Sequence, residues 1–159
     1  MNSQIPPCNM QHGSYIKCSL AKSFKSAYPQ NYVIDFKYDG NRYQIHRLEQ
    51  SVIIFNRKGN VVTEQYPDVV KTVLEFDAHE FILDTEIYPV DSSGQPAEHK
   101  LLAKRVHSKN KEAAVRECPV KVVIFDVLSY MDEPMIERPY RMRLSYLKDF
   151  PLEYRADMF

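Results

Sequence analysis

The segment Lys37-Tyr38-Asp39-Gly40-Asn41-Arg42 sets a lysine, a carboxylate and an arginine around one glycine, in the pattern K-x-D-G-x-R. A lysine amine attacks phosphorus only in its unprotonated form, and a positive neighbour such as Arg42 eases the loss of that proton. Gly40 lets the backbone turn tightly beside a phosphate, and the planar fork of Arg42 matches phosphate oxygens. Taken alone, the same letters also describe a hairpin with an Asp-Gly turn and two surface cations. Two other places carry chemistry. Asp84 and Glu86 interrupt the apolar run Glu80 to Val90, and a carboxylate in such a run is costly unless it is ion-paired or used. Phe125, inside the apolar run Val120 to Leu128, reads either as a core residue or as a ring whose π-face stacks on a base.

The elements that must hold these groups read as α+β. Tyr32 to Lys37, Arg42 to Arg47 and Val52 to Phe55 have strand character and short connections, which predicts an antiparallel meander. Tyr66 to Phe76 carries Pro67 where a first helical turn tolerates it and spaces Val69, Val70, Val73 and Leu74 as one helical face. Strands are expected over Glu80 to Val90 and Val120 to Leu128, a turn at Asp91 to Gly94, and helices over His99 to His107 and Met142 to Lys148. Residues 1–30, rich in Ser, Gln, Asn and Pro with a weak helical run at Ser19 to Ala27, read as a lead-in packed on the domain formed by 31–159. The sum is antiparallel sheets flanked by helices.

Composition narrows the function classes. The chain has 159 residues, enough for one domain with a real core, and 21 basic against 21 acidic residues give zero formal net charge. Nucleic acid would therefore be held by a local patch rather than by bulk charge. The densest basic stretches are Lys100, Lys104, Arg105, His107, Lys109 and Lys111, and then Arg138, Arg141 and Arg143; both read as solvated charged faces. Cys8, Cys18 and Cys118 form no metal-ligand or redox pattern and are expected to be free thiols. There is no secretory signal and no run of the roughly 20 apolar residues that a membrane span requires, so an intracellular location, cytoplasmic or nuclear, is expected.

Seven segments in order resemble the adenylation (nucleotidyltransferase) domain of ATP-dependent DNA ligases of archaeal and eukaryotic type. They are Asp35-Phe36-Lys37-Tyr38-Asp39-Gly40 continuing through Gln44-Ile45-His46, Ile54 to Gly59, Thr63 to Val69, Phe81 to Ile87, Leu101 to Arg105, Val123 to Leu128, and Glu137-Arg138-Pro139 with Arg141 to Leu147. The resemblance implies an ATP-grasp-like fold and sealing of nicked double-stranded DNA in replication, repair and recombination, with ATP and Mg²⁺. It implies that Lys37 takes AMP as a phosphoramidate, that Asp39 serves at nick closure, and that Asp35 accepts a hydrogen bond from the adenine amino group. Phe36 is counted with the nucleotide contacts, although strand alternation would turn it and Ile34 away from Lys37. Arg42 and Arg57 would bind the nucleotide and the phosphate of the nick, Glu86 the ribose or the metal, and Phe125 the adenine ring.

The family pattern is departed from at Asn41, where these ligases have Glu, at Asn56, where they have Ser, and at Ala97-Glu98, where they have Phe-Gln. No later E-G-x-[MV]-x-K or K-x-K segment follows, nor an OB-fold, so a C-terminal half or a partner chain is expected to carry them. The isolated chain is expected to adenylylate itself slowly or not at all. RNA ligases and mRNA capping enzymes share the lysine motif, and a truncated homologue that only binds nucleic acid or a partner chain is a further alternative. Lys37 is expected at a strand end or in the loop after it, in a cleft between sheets, with Asp35, Arg42, Arg57, Glu86 and Phe125 lining the same pocket.

Overall fold

The structure, a computed structural model, describes residues 11–19 and 34–156. The expected helical run at Ser19 to Ala27, apart from its first residue, lies outside the described residues, as do Cys8 and the start of the first expected strand. Among the described residues there is one antiparallel sheet, in the order β2-β1-β3-β4-β5, rather than several. Its strands are β1 (Asn41–Leu48), β2 (Ser51–Asn56), β3 (Glu80–Pro89), β4 (Val120–Tyr130) and the two-residue β5 (Glu133–Pro134). Residues 34–40 contribute a single bridge residue, Asp35, in place of the expected strand.

A two-residue turn joins β1 to β2, with Leu48 opposite Ser51 and Glu49 at a positive φ of 51°, the backbone such tight hairpins require. Period-two alternation then sorts the side chains onto two faces. Tyr43 and Ile45 of β1, Leu83 and Ile87 of β3, and Val122 and Ile124 of β4 form the main core. Against that face lie Val69 and Val73 of α1 (Pro67–Leu74) and, after α4 (Tyr140–Ser145), Leu147 and Phe150. The sequence missed α3 (Lys111–Glu117), whose start is marked by Asn110, the side chain of which accepts the Ala113 N–H.

Two basic residues belong to this core rather than to solvent. Arg105, on α2 (Lys100–His107), is 1% exposed. It donates to the Cys118 carbonyl at 2.7 Å, pairs with Asp68 and lies over the Tyr66 ring, which ties α2 to α1 and to the end of α3. The expectation of a solvated face fails here because Arg105 follows Leu102 by three residues and shares its buried side. Arg47 donates to the carbonyls of Val73, Phe76 and Ala78 at 2.8, 2.8 and 2.9 Å, gathering the carbonyls at the end of α1 and in the turn after it around one guanidinium.

The opposite face begins with Gln44 and His46 and is covered by residues 11–19. Gln44 grips that segment through the backbone of Ile16, whose N–H it accepts at 3.0 Å. His46 is 0% exposed, packs edge-on against Phe55 and His12, and has no partner for Nδ1 among the described residues. Burial, helped by His12, lowers its pKa from 6.5 to about 4. The unfolded chain therefore binds more protons in that window, and stability falls as pH drops through it, by on the order of 2 kcal/mol at about pH 5. Urea unfolding midpoints at neutral and mildly acid pH check this: His46→Gln should flatten the acid loss, and an unchanged pH dependence would show that His46 is not its source.

Candidate functional site

Lys37 sits in the loop that leads into β1, and that loop lies directly on β3. A side chain at residue 40 would place its Cβ 2.3 Å from the Ile87 carbonyl oxygen and 2.9 Å from Glu86 Cγ, so only glycine permits the approach. The requirement is closeness and not a left-handed φ. With the backbones in contact, the Gly40 N–H bonds to the Glu86 carboxylate. Lys37 and Arg42 are close enough that their charges act on the same group.

The cleft that results has a volume of about 840 Å³. Lys37, Asp39 and Arg42 line it from the loop and the start of β1, Arg57 from the turn after β2, and Glu86 and Phe125 from β3 and β4. Phe36 lines it as well, beside Lys37 and not turned away, because an unpaired loop does not impose strand alternation. Its ring is exposed and meets Tyr38 at 5.0 Å; Tyr38 in turn stacks on Tyr88 at 5.1 Å. Phe125 is half-buried: it packs with Tyr38 against Tyr88, Val90, Val123 and Ala156 and also reaches the cleft.

Asp35 does not join them. It lies outside the cleft lining, and its carboxyl is hydrogen-bonded to the Tyr140 hydroxyl at the start of α4. The expectation that Asp35 and Lys37 share a direction assumed a pleated strand through both, and the loop breaks that relation. Desolvation, then the charges of Asp35 and Asp126, push the Tyr140 hydroxyl up to about 12, so it stays protonated at neutral pH.

Arg42 and Glu86 face each other across the β1–β3 ladder, with Asp84 two pairs further along, opposite Gln44. Arg42 holds Asp84 bidentately, with Nε on Oδ1 at 2.8 Å and a second bond between the terminal nitrogen and Oδ2, and gives a third bond to the Ser19 carbonyl at 2.7 Å. This pairing, ahead of any other effect, raises the guanidinium pKa. The positive charge offered by Arg42 is thus already matched by a carboxylate. Arg57, by contrast, has no ion-pair partner among the described residues.

Burial raises the Glu86 pKa, against the opposing pull of the Gly40 N–H and of the Arg42 and Lys37 charges. Among the described residues no cluster of three or more His, Cys, Asp or Glu is arranged to hold a metal ion. Asn56, Lys58, Gln65 and His107 also line the cleft and were not assigned to a site from sequence, Asn56 having been noted only as a departure from the family pattern and His107 only within a basic stretch. A further contact joins the residue before α2 to the start of β1: His99 Nε2 lies 3.1 Å from Asn41 Oδ1. Polar residues in turns and at helix ends give no periodic signal, and only the three-dimensional cleft selects them.

This fold is similar to part of the ligase domain of M. tuberculosis LigD, with a TM-score of 0.59 at 23% identity over 78% of this chain and 38% of that one. A mycobacterial DNA ligase D complexed with ATP and MES matches with a TM-score of 0.56 at 21% identity, over 79% of this chain and 39% of that one. At these identities the likeness speaks for fold. The family model of the ATP dependent DNA ligase domain matches residues 13–156, and the chain belongs to that family. Curated relatives include a DNA ligase of Saccharolobus solfataricus, 37% identical over 120 residues, and one of Saccharolobus islandicus, 36% identical over 118. These alignments cover 74% and 73% of this chain, which spans about a fifth (20%) of the length of each relative.

Because burial disfavours the ionised form of Glu86, its presence lowers stability as pH rises through its elevated pKa. Glu86→Gln keeps an acceptor for Gly40 and should unfold at a higher urea concentration than the parent at neutral pH. The gap should close on acidification below the ordinary glutamate range, where the parent carboxyl is protonated in both states. A variant less stable at neutral pH would contradict this account of Glu86.

Proposed function

We propose that this chain forms the nucleotide-binding wall of an ATP-dependent DNA ligase, with Lys37 as the residue that becomes adenylylated. The observation that carries the reading is the convergence of Lys37, Arg42, Arg57, Glu86 and Phe125, from four separate stretches of chain, on one cleft. Membership of the ligase family and curated relatives named DNA ligase support it further.

In this reading the Lys37 amine, having lost its proton, attacks the α-phosphorus of ATP. A nitrogen–phosphorus bond forms, the bond to the bridging oxygen breaks, and pyrophosphate leaves. The 5′-phosphate of a DNA nick then attacks the same phosphorus and frees Lys37. Finally the 3′-hydroxyl attacks the nick phosphate and displaces AMP, the step to which we assign Asp39. Arg57, with no carboxylate on it among the described residues, is the cation for phosphate, while Arg42, fixed by Asp84, presents only its remaining donors. Phe125 offers a ring face for adenine. Asp35, held by Tyr140 outside the cleft, has no adenine contact in this reading.

Magnesium binds mainly through phosphate oxygens with one or two carboxylates, so the lack of a dedicated acidic cluster among the described residues fits such an ion. Glu86, or Asp39 of the same cleft, would hold it. Bound there, the ion would supply neutralisation of the charge on the phosphates. We place the remainder of the ATP site in sequence outside this segment or in a partner chain, a reading supported by the 38% of the LigD ligase-domain chain that this one covers. No described helix is long and apolar enough to cross a membrane; an intracellular location is part of the proposal.

Long incubation with α-labelled ATP and Mg²⁺, followed by peptide mass spectrometry, tests the central assignment. AMP should be found on Lys37 in a slow reaction, and Lys37→Arg, which keeps a positive charge but cannot attack, should carry none. An adduct on another residue, or one that persists in Lys37→Arg, would remove Lys37 from the mechanism, and labelling by GTP in preference to ATP would redirect the substrate.

A further inference from the structure

Residues 11–19 lie outside every segment that lines the cleft, yet they touch the backbone or side chain of both arginines that do. The Ser19 carbonyl accepts a bond from Arg42, and the Tyr15 hydroxyl donates to the Arg57 carbonyl at 2.8 Å. We propose that Tyr15 is a positioning residue that fixes the Arg57 turn, and through it the phosphate-binding cation of the cleft. The inference rests on the nucleotide-binding reading given above.

Arg57 needs such a support. Its side chain is long and exposed, and no carboxylate among the described residues orients it. The direction in which it leaves the protein is therefore set by the backbone of the turn Asn56 to Asn60. From inside, the Asn56 side-chain oxygen accepts the N–H groups of Lys58 at 2.9 Å and Asn60 at 3.1 Å. From outside, the Tyr15 ring lies so close over Gly59 that a Cβ there would come within 2.9 Å of it. Gly59 also has a positive φ of 82°, so glycine is required twice over, for its backbone and for the ring.

Tyr15 is in turn held independently of the cleft. Its ring meets Phe55 at 5.9 Å, its hydroxyl lies 3.4 Å from Cys18 Sγ, and the segment is anchored at Ile16 by Gln44, which is 1% exposed. One end of the contact is thus fixed to the sheet and the other to the turn. Such an arrangement holds a phosphate contact within a narrow geometry by restricting the backbone that carries it.

Calorimetric titration of this chain with ATP, and separately with adenosine, tests the proposal. Tyr15→Phe keeps the ring over Gly59 and removes one hydrogen bond; it should weaken ATP about fivefold, the effect of one such bond, leave adenosine unchanged, and lower the urea midpoint by no more than the loss of that one bond. In Tyr15→Phe combined with Arg57→Ala, ATP should bind no more weakly than to Arg57→Ala alone, since both act through one contact. A merely structural tyrosine would weaken both ligands together, or add its loss to that of Arg57→Ala, and either result overturns the proposal, as does full ATP affinity in Tyr15→Phe. If Tyr15→Phe fails to fold, Asn56→Ala loosens the same turn from the other side. It should show the same ATP-selective loss, and its absence counts equally against the proposal. A parent chain that binds no ATP would instead sink the nucleotide-binding reading, and this inference with it.

Discussion

The contact between the backbone of residue 40 and strand β3 is the constraint on which the rest of the site depends. Without a Cβ at Gly40, the loop carrying Lys37 and Asp39 rests on the Ile87 carbonyl and bonds to Glu86. Two segments more than forty positions apart in sequence thereby share one wall. A larger residue would have to lift the loop from the sheet, and the lysine, the glutamate and the first arginine would no longer face one cavity. The chemistry of the cleft is set by an absent side chain as much as by the ones present.

The sheet divides its labour by face. One side is apolar and helix-covered, and it includes two buried arginines used as structural cations: Arg105 between α1, α2 and α3, and Arg47 against the end of α1. The other side carries Gln44, His46, Asp84, Glu86 and Phe125 along adjacent strands, with residues 11–19 laid over its β1–β2 end. Fixed positive charge and partly buried carboxylates therefore meet on one surface. Asp84 settles on Arg42, which leaves Glu86 the less compensated acid. A carboxyl kept in such surroundings is a stability cost that folding alone does not explain.

Cations that look equivalent in sequence end in three different situations. Arg105 is buried and hydrogen-bonded, Arg42 is half-covered and neutralised by Asp84, and Arg57 is exposed with no carboxylate on it among the described residues. Only the last is placed to exchange water for a phosphate oxygen without first breaking an ion pair. The extent of burial and the neighbour across the ladder decide these fates, and neither can be seen in a run of basic residues.

Much of this protein was legible in its amino-acid order. The strand runs at Arg42 to Arg47 and Glu80 to Val90, the helical spacing of Val69 and Val73, and the K-x-D-G-x-R string identify three elements, the loop and the family. These signals are local, fixed by backbone periodicity and by what glycine alone allows. Tertiary structure decided the rest. It made a loop of the stretch through Phe36, so that Phe36 faces the cleft and Asp35 turns to Tyr140. It gathered the expected strands into one sheet among the described residues, buried Arg105, and set Tyr15 against a turn forty-two positions away. In each case the outcome depends on which distant group competes for a hydrogen bond or a buried position, and a linear pattern does not record that competition.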